Sequence, residues 1–288
     1  MDSGSCLPPD LLRQWDITVA PHELTVHGRS FQDGVDLYPD EFYELLKDKR
    51  GECTTAIPRP QQFLESFIAA GTLAPNVLCL TLSGNFSGTY QSARAAAVLA
   101  GSRMSGVRVE VIDSQAVAGA SGLIALAAAR WAAKGYSMER VIAGVNNLIP
   151  KIDLIAFLET LYYLGRSGRV GKLQAWLGSM LRVRPLTELR LGEARILEKP
   201  RSRAKAMQRL LDLMGQRVGR SMITINVMEA DAPADAQVLL GRIQSEFNCR
   251  EAILSKFTPV MGALTGPGLL GVAFHMHEGD EEEPPMEP

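Results

Sequence analysis

Cysteine, net charge and long apolar runs are all scarce in this chain. Four cysteines are spread over 288 residues without a Cys-x-x-Cys pair or a regular spacing, which argues against a disulfide framework or a zinc site. The Ala-rich stretch at residues 116–133 is interrupted by Ser, Gly and Arg, so no apolar run reaches the roughly 18 residues of a membrane-spanning helix. The 30 basic and 32 acidic residues leave a formal net charge of −2, which gives no overall field to attract nucleic acid or an anionic membrane.

A secretory signal is also missing, because the chain opens Met1-Asp2-Ser3-Gly4 without a basic or an apolar segment. Together with the scattered cysteines, this favours a reducing cytoplasm. What is present is an ordinary globular composition, with 46% hydrophobic and 22% charged residues. The length corresponds to two domains at roughly 150 residues each. Intrinsic disorder and a collagen-like repeat are excluded.

The first half of the chain alternates helix and strand signals. Prolines predict helices that begin at Pro39 and Pro60, because proline suits the first helical turn. The signals that follow are a buried strand at 77–82, a helix at 89–100 ended by Gly101, a strand at 107–112 and a helix at 119–134. This βαβα order predicts the α/β class, with a parallel sheet covered by helices.

The second half has a different pattern, which begins with two short strands on either side of Gly192 and predicts a hairpin. Helix and strand signals then alternate again as far as His275. We predict an N-terminal α/β domain over residues 1–150 and a smaller α/β domain over residues 151–277. The remaining residues, 278–288, hold six acids and no base and predict a disordered acidic tail.

The strongest local signal lies at residues 80–90, which read Leu-Thr-Leu-Ser-Gly-Asn-Phe-Ser-Gly-Thr-Tyr. A loop at the carboxyl end of a parallel strand is where ligands bind in open α/β sheets. The N–H groups of the following helix start suit a phosphate or a carboxylate, and Ser87 or Thr89 adds a hydroxyl donor. Thr55, in a polar loop before Pro58, is a candidate second donor. Two simpler interpretations stay open, in which Ser87 only caps the helix and Thr55 belongs to a helix-entry loop.

Other chemistries are less well supported. The esterase pattern Gly-x-Ser-x-Gly is absent around Ser87, and none of the four histidines lies in a triad pattern. Residues 266–271 match Gly-x-Gly-x-x-Gly, but a strand-like run follows where a dinucleotide site needs a helix, so we interpret them as a tight turn. His275 and His277 lack a third ligand for a metal.

Charge is concentrated at residues 166–205, which hold eleven Lys or Arg and three Glu, a local charge of +8. The segment is interpreted first as a solvated face, then as a docking face for an acidic protein partner. Nucleic acid binding ranks last, because no strand carries a run of aromatic side chains to stack bases.

Taken together, these motifs resemble the DegV family over almost the whole chain. The matching motifs are Asp2-Ser3 with Leu7-Pro8, Asp33-Gly34 before Phe42-Tyr43, Thr55 to Pro58, Ser87-Gly-Thr-Tyr90, Ile112-Asp-Ser114, residues 161–169, Pro185, Arg201-Ser and Gly266-Pro-Gly268.

The resemblance implies two α/β domains and a fatty-acid-binding protein that is not an enzyme and has no cofactor or metal. The long-chain fatty acid is expected in the interior of the first domain, with its carboxylate held by Thr55 and Ser87. Gly88, Thr89 and Ser114 are expected to support that site. Where a fatty acid kinase is present, such a protein presents the carboxylate for phosphorylation. An enzyme that uses the same anion site, a hydrolase or an acyl or phosphoryl transferase, is the alternative.

Two arginines that the family uses to dock that kinase match Arg169 and Arg201. The resemblance predicts no binding of nucleic acid and no stable insertion into a membrane.

The chain departs from the family pattern in two places. Many members begin with a β-strand before the Asp-Ser element, whereas only Met1 precedes Asp2. This indicates either an upstream start of translation or a sheet that lacks a central strand, which would expose a slot beside residues 77–82. The family also often has a histidine two residues before Gly-Pro-Gly, where this chain has Leu264. That leucine predicts a carboxylate site that is weaker or relies on water.

Overall fold

The computed structural model of the chain describes residues 1–47, 53–167, 183–277 and 284. The first half contains helices α1 Pro9–Gln14, α2 Pro39–Lys47, α3 Pro60–Gly71, α4 Thr89–Arg103, α5 Ala118–Ala133 and α6 Met138–Leu148. Its strands are β1 Glu23–Val26, β2 Arg29–Gln32, β3 Cys53–Ala56, β4 Asn76–Thr81 and β5 Arg108–Asp113. Short 3₁₀ helices lie at Ser3–Ser5 and Ile149–Lys151.

The second half continues the alternation with a larger share of strands. Its strands are β6 Asp153–Phe157, β7 Leu186–Arg190, β8 Glu193–Glu198, β9 Ile223–Glu229, β10 Cys249–Lys256 and β11 Leu270–Met276. Its helices are α7 Tyr162–Ser167, α8 Arg203–Val218, α9 Pro233–Glu246 and α10 Pro259–Thr265. No helix in the described part of the chain is long and apolar enough to cross a membrane.

Two sheets form in the first half. Strands β4 and β5 pair in parallel, with Asn76 opposite Arg108 at one end and Thr81 opposite Asp113 at the other, as the βαβ signal predicts. A separate antiparallel sheet in the order β2-β1-β3 was not predicted. Each of its strands has four residues, and β3 reaches β1 across a long sequence interval, so local patterning gives little signal for it.

The second half is built on one six-stranded sheet in the order β10-β9-β11-β6-β7-β8. The predicted hairpin around Gly192 is confirmed as β7 and β8, and Gly192 has the positive φ of +71° that a two-residue hairpin loop requires. The central strand β9 pairs with β10 in parallel and with β11 in the antiparallel sense. All of its residues are buried, which places it in the middle of this half.

Helix α5 joins the two halves of the molecule. Its small residues let the six-stranded sheet approach closely, because a Cβ on Gly119 would lie 2.6 Å from Asn226 and 2.7 Å from the Met228 sulfur. On another side, a Cβ on Gly122 would lie 2.7 Å from the carbonyl oxygen of Ser5. The core around α5 therefore contains apolar side chains from both halves of the chain, including Leu82 and Leu154.

Some local predictions need correction. Gly101 does not end α4, which continues to Arg103, because the N–H of Met104 still donates to the carbonyl of Ala100 at 2.8 Å. One glycine costs a helix only about 1 kcal/mol, which the packing of its neighbours offsets. The tight turn at Gly266-Pro-Gly268 is confirmed, with φ of +74° and +88° at the two glycines.

The α/β class is confirmed, whereas the domain boundary near residue 150 stays a prediction. Of the predicted acidic tail, the structure describes Pro284 alone; its carbonyl accepts hydrogen bonds from the Arg140 guanidinium at 3.3 and 3.4 Å.

Candidate functional site

A cavity of about 110 Å³ lies where the loop after β4 meets the six-stranded sheet. It is surrounded by α5, α7 and α10 and by strands β6 to β8. Residues of both halves line it: His22, Leu82, Phe86, Ser87, Val117, Ala118, Leu154, Ala156, Leu158, Leu164, Ser167, Thr187, Leu189, Ala194, Phe257, Val260, Met261, Leu264, Thr265 and Leu269. The cavity is thus shared between the halves, whereas the sequence predicted an acyl pocket within residues 1–150.

The cavity wall is almost entirely apolar, and no Asp, Glu, Lys or Arg belongs to it among the described residues. Three of its hydroxyl groups already donate to main-chain carbonyls: Ser167 to Leu164, Thr187 to Ala156 and Thr265 to Met261, at 2.8 to 2.9 Å. The other two polar side chains, His22 and Ser87, lie on the first-half side of the cavity. The wall therefore suits an apolar ligand with one polar end.

Ser87 is half-buried just before α4, where the sequence predicted an anion site. Its Oγ lies 2.7 Å from the Thr89 Oγ1 and accepts a hydrogen bond from the Thr89 N–H at 3.3 Å. Thr89 is fully buried as the first residue of α4, and Gly88 occupies the cap position. Ser87 therefore lies one residue before the cap position and accepts from the first N–H of α4, and the same side chain also lines the cavity.

Two carboxylates, the buried Asp2 and the half-buried Asp113, hold the loop around Ser87 in place. Asp2 accepts hydrogen bonds from the N–H groups of Leu82 at 2.7 Å and Gly4 at 3.0 Å. Asp113, at the end of β5, accepts one from the N–H of Gly84 at 3.1 Å. These N–H groups of the loop thus donate to side chains rather than to a neighbouring strand. The loop can therefore curve away from the sheet and form the concave end of the cavity.

His22 is a site residue that the sequence analysis did not identify. It is 3% exposed, and its Nε2 lies 3.3 Å from the Thr89 Oγ1. Its Nδ1 lies 3.2 Å from the Ser3 Oγ and 4.0 Å from the Asp2 carboxylate. No motif surrounds His22 in the sequence. The one available signal was its residue type, since a histidine interrupts the apolar alternation that leads into β1.

The remaining predicted donors occupy different surroundings. Thr55 lies on β3 directly opposite Leu24 of β1 and points to the same face as that buried leucine. It is half-buried, and it does not belong to the cavity wall among the described residues. Ser114 is fully buried, but its hydroxyl forms hydrogen bonds with Ala116 in the turn after β5. Ser114 can therefore support the loop indirectly.

Asp33 lies under the same end of the cavity. Burial raises the pKa of its carboxyl group to about 7, although hydrogen bonds from Ser3, Val260 and Thr258 lower it. The N–H of Asp33 donates to the His22 carbonyl at 2.9 Å, and its Oδ1 accepts from the Val260 N–H at 3.3 Å. This buried acid is thus in contact with the segments that carry His22 and α10.

The basic segment at residues 166–205 is partly neutralised within the fold. Arg184 forms a two-pronged ion pair with Glu159 at 2.5 and 2.9 Å, and Arg203 pairs with Asp235. Arg201 is exposed, and its carbonyl accepts a hydrogen bond from Arg184 at 3.1 Å. Arg169 lies outside the described residues.

A second, more open groove of about 710 Å³ runs along β4. It is lined by all but the last residue of β4, by Trp15 and by alanines of α5. Within the described residues β4 pairs only with β5, so its other edge faces this groove. In the described part of the chain, this edge of β4 is therefore open beside residues 77–80.

No group of three or more metal-ligating side chains occurs among the described residues. The rings of His275 and His277 are tilted by 54° with their centroids 4.9 Å apart, and the Nε2 of His277 lies 2.9 Å from the Thr224 hydroxyl.

Comparison with known proteins identifies the family. The family model described as "Uncharacterised protein, DegV family" matches residues 1–277. The chain belongs to the DegV family. A DegV domain-containing protein of Caldanaerobacter subterraneus is 32% identical over 274 residues, which is 95% of this chain and 96% of the relative. The family resemblance carried by the sequence motifs is confirmed.

Solved structures of DegV proteins share the fold. A DegV family protein of Thermus thermophilus, described as binding fatty acid, superposes with a TM-score of 0.87 at 29% identity and covers 96% of this chain and 98% of its own. DegV of Bacillus subtilis, described as a fatty acid binding protein, has a TM-score of 0.84 at 25% identity, with 96% and 97% covered. DegV relatives of this chain therefore bind fatty acids.

Proposed function

We propose that this DegV protein is a non-catalytic carrier of a long-chain fatty acid. The observation that carries the proposal is the apolar cavity with Ser87 at one end and no charged side chain among its described wall residues. An acyl chain gains about 0.8 kcal/mol for each methylene group it buries, so a 15-methylene chain gains roughly 12 kcal/mol before ordering costs. Such a ligand needs only a modest polar site for its carboxylate.

The carboxylate is assigned to the start of α4. The Ser87 hydroxyl donates to it, and the positive end of the α4 dipole stabilises its charge. Thr55 is assigned as the second hydroxyl donor because its position matches the carboxylate-binding threonine of the family, and Gly88 lets the ligand approach the backbone closely. Thr89 and Ser114 support this site by orienting Ser87 and the neighbouring turn.

A carrier explains the geometry better than an enzyme does. Ser87 reaches the imidazole of His22 only through the Thr89 hydroxyl, so the direct serine–histidine contact of a hydrolase is not formed. Burial also raises the pKa of the Cys6 thiol to about 12 and that of Cys79 to about 11, which keeps both protonated and unreactive.

Presentation of the carboxylate to a fatty acid kinase is the finer part of the proposal. The exposed position of Arg201 beside the Arg184–Glu159 pair supports a docking role for that residue. The matching role of Arg169 stays a prediction from the sequence.

The test is to identify lipid that co-purifies with the full chain by native mass spectrometry after bacterial expression. We expect a fatty acid at one per protein, and a roughly tenfold loss of hexadecanoic acid affinity in Ser87→Ala, since one charge-assisted hydrogen bond is lost. The matched control is Ser102→Ala, whose exposed hydroxyl bonds only within its own helix. Absence of lipid together with unchanged binding in Ser87→Ala would refute the carrier, and ester hydrolysis abolished by Ser87→Ala would favour the enzyme.

A further inference from the structure

At the end of the cavity where Ser87 lies, a continuous chain of polar atoms begins outside the cavity wall and leads to the Ser87 hydroxyl. It runs from the Ser3 hydroxyl through the ring of His22 and the hydroxyl of Thr89 to Ser87, with successive separations of 3.2, 3.3 and 2.7 Å. Ser3, His22 and Thr89 are all buried. The direction of these hydrogen bonds decides what Ser87 offers to a ligand.

A hydroxyl group has one proton, which makes that direction an either-or matter. If the Nε2–H of His22 donates to Thr89, the Thr89 proton goes to Ser87, and the Ser87 proton is left to donate into the cavity. If Nε2 accepts from Thr89 instead, the Ser87 proton can go either to Thr89 or to the ligand, so Ser87 is no longer held as a donor toward the cavity. A carboxylate is better served by the first arrangement, because it only accepts hydrogen bonds.

A donating Ser87 requires a proton on the Nε2 of His22, which the surroundings of the other ring nitrogen allow. Nδ1 faces the Ser3 Oγ, which also accepts the His22 main-chain N–H at 3.1 Å. The acids that face this side are Asp2, whose Oδ1 is 4.0 Å from Nδ1, and Asp33, which lies behind Ser3. A neutral ring carries Nε2–H when the Ser3 proton goes to Nδ1 rather than to Asp33, and a ring that carries a proton on both nitrogens has Nε2–H in either case.

We infer that His22, acting through Thr89, turns Ser87 into a hydrogen-bond donor and so makes the cavity selective for a lipid acid over a neutral lipid of equal length. This inference rests on the proposed function. Leu264 lines the same cavity and offers no hydrogen bond. In this arrangement His22 supplies an imidazole to the same cavity from the segment before β1.

The experiment compares hexadecanoic acid with 1-hexadecanol on the delipidated full chain, by displacement of anilinonaphthalene sulfonate. The wild type is expected to prefer the acid at least tenfold. His22→Leu should lose about tenfold of that preference while its affinity for the alcohol is unchanged, and His22→Gln, which keeps an N–H donor, should recover most of it. The control is His27→Asn, which removes an exposed histidine at a positive φ that asparagine tolerates.

Each outcome decides one claim. An unchanged acid preference in His22→Leu overturns the role of His22 and leaves the carrier proposal intact. An equal loss of acid and alcohol binding has the same consequence, because it indicates a purely structural role for His22. A wild type that binds neither lipid overturns the carrier and this inference with it. Should His22→Leu fail to fold, Thr89→Val interrupts the same chain of polar groups at its next member. A retained acid preference in Thr89→Val would overturn the inference.

Discussion

The ionisation of Asp33 should make the free energy of unfolding depend on pH. Its carboxyl is buried, one of its oxygens has no hydrogen-bond partner, and its pKa is raised to about 7. The folded protein therefore binds a proton there that the unfolded chain releases above about pH 4. Stability falls as the pH rises from about 4 to about 7, by on the order of 4 kcal/mol at 1.36 kcal/mol per pKa unit, and is level above that range.

Asp33→Asn should remove this slope, because the amide is neutral in both states and its oxygen can still accept from the Val260 N–H. Urea unfolding at pH 4.5, 6 and 8 measures it. We expect the variant to gain stability relative to the wild type with rising pH, and Asp16→Asn, at an exposed turn, to follow the wild type. Parallel curves for Asp33→Asn and wild type would show that Asp33 ionises normally.

The residues of the site differ in how visible they are in sequence. Ser87 and Thr89 could be identified because a buried strand, a Gly/Ser loop and a helix start follow one another within a few residues. His22 could not, because its partner Thr89 is 67 positions away and the contact exists only after the loop is held by Asp2. Local pattern predicts where a ligand can bind, but it cannot show which distant side chain will complete the site.

At the scale of elements, the β7–β8 hairpin is fastened to the loop that carries Ser87. The N–H of Gly192 donates to the Gln115 carbonyl at 2.7 Å, and the Asn85 amide donates to the Gly192 carbonyl at 3.2 Å. A Cβ on Gly192 would lie 2.6 Å from the Asn85 side chain. The hairpin tip therefore sets the position of the ligand loop.

Gly192→Ala should disturb binding from outside the cavity. The turn between β1 and β2 provides a matched control, because Gly28 has a similar φ of +76° but a Cβ added there would meet no atom within 4 Å. Both variants should lose about 1 kcal/mol through backbone strain. Only Gly192→Ala should also weaken hexadecanoic acid binding, by about threefold or more in the same displacement assay. Equal binding by the two variants would show that the hairpin does not position the loop.

Most elements could be predicted because their signals are local. Proline at the first turn marked α2 and α3, and an apolar run marked β4. The order of the six-stranded sheet could not be obtained this way, since the last strand, β11, inserts between β9 and β6. That placement depends on pairings between distant segments.

At the scale of the whole molecule, ion pairs within the fold neutralise part of the uneven charge of the sequence. Arg190 and Arg217 converge on Asp153, and Arg217 also pairs with the buried Glu188 at 2.5 Å. A count of charges along the sequence therefore overstates the positive surface that a partner would meet. The exposed remainder around Arg201 is the part that can still interact with an acidic protein.

The groove beside β4 also affects how the backbone should exchange hydrogen with solvent. Amide groups on that edge face space that water can fill, whereas those of β9 are enclosed between two neighbouring strands. In deuterium exchange followed by mass spectrometry, peptides from β4 should label at least tenfold faster than peptides from β9. Equal protection of the two strands would show that the edge is covered in solution. Fast labelling of β4 would mean that the parallel pair opens locally while the six-stranded sheet stays closed, so the two halves would have separate opening free energies.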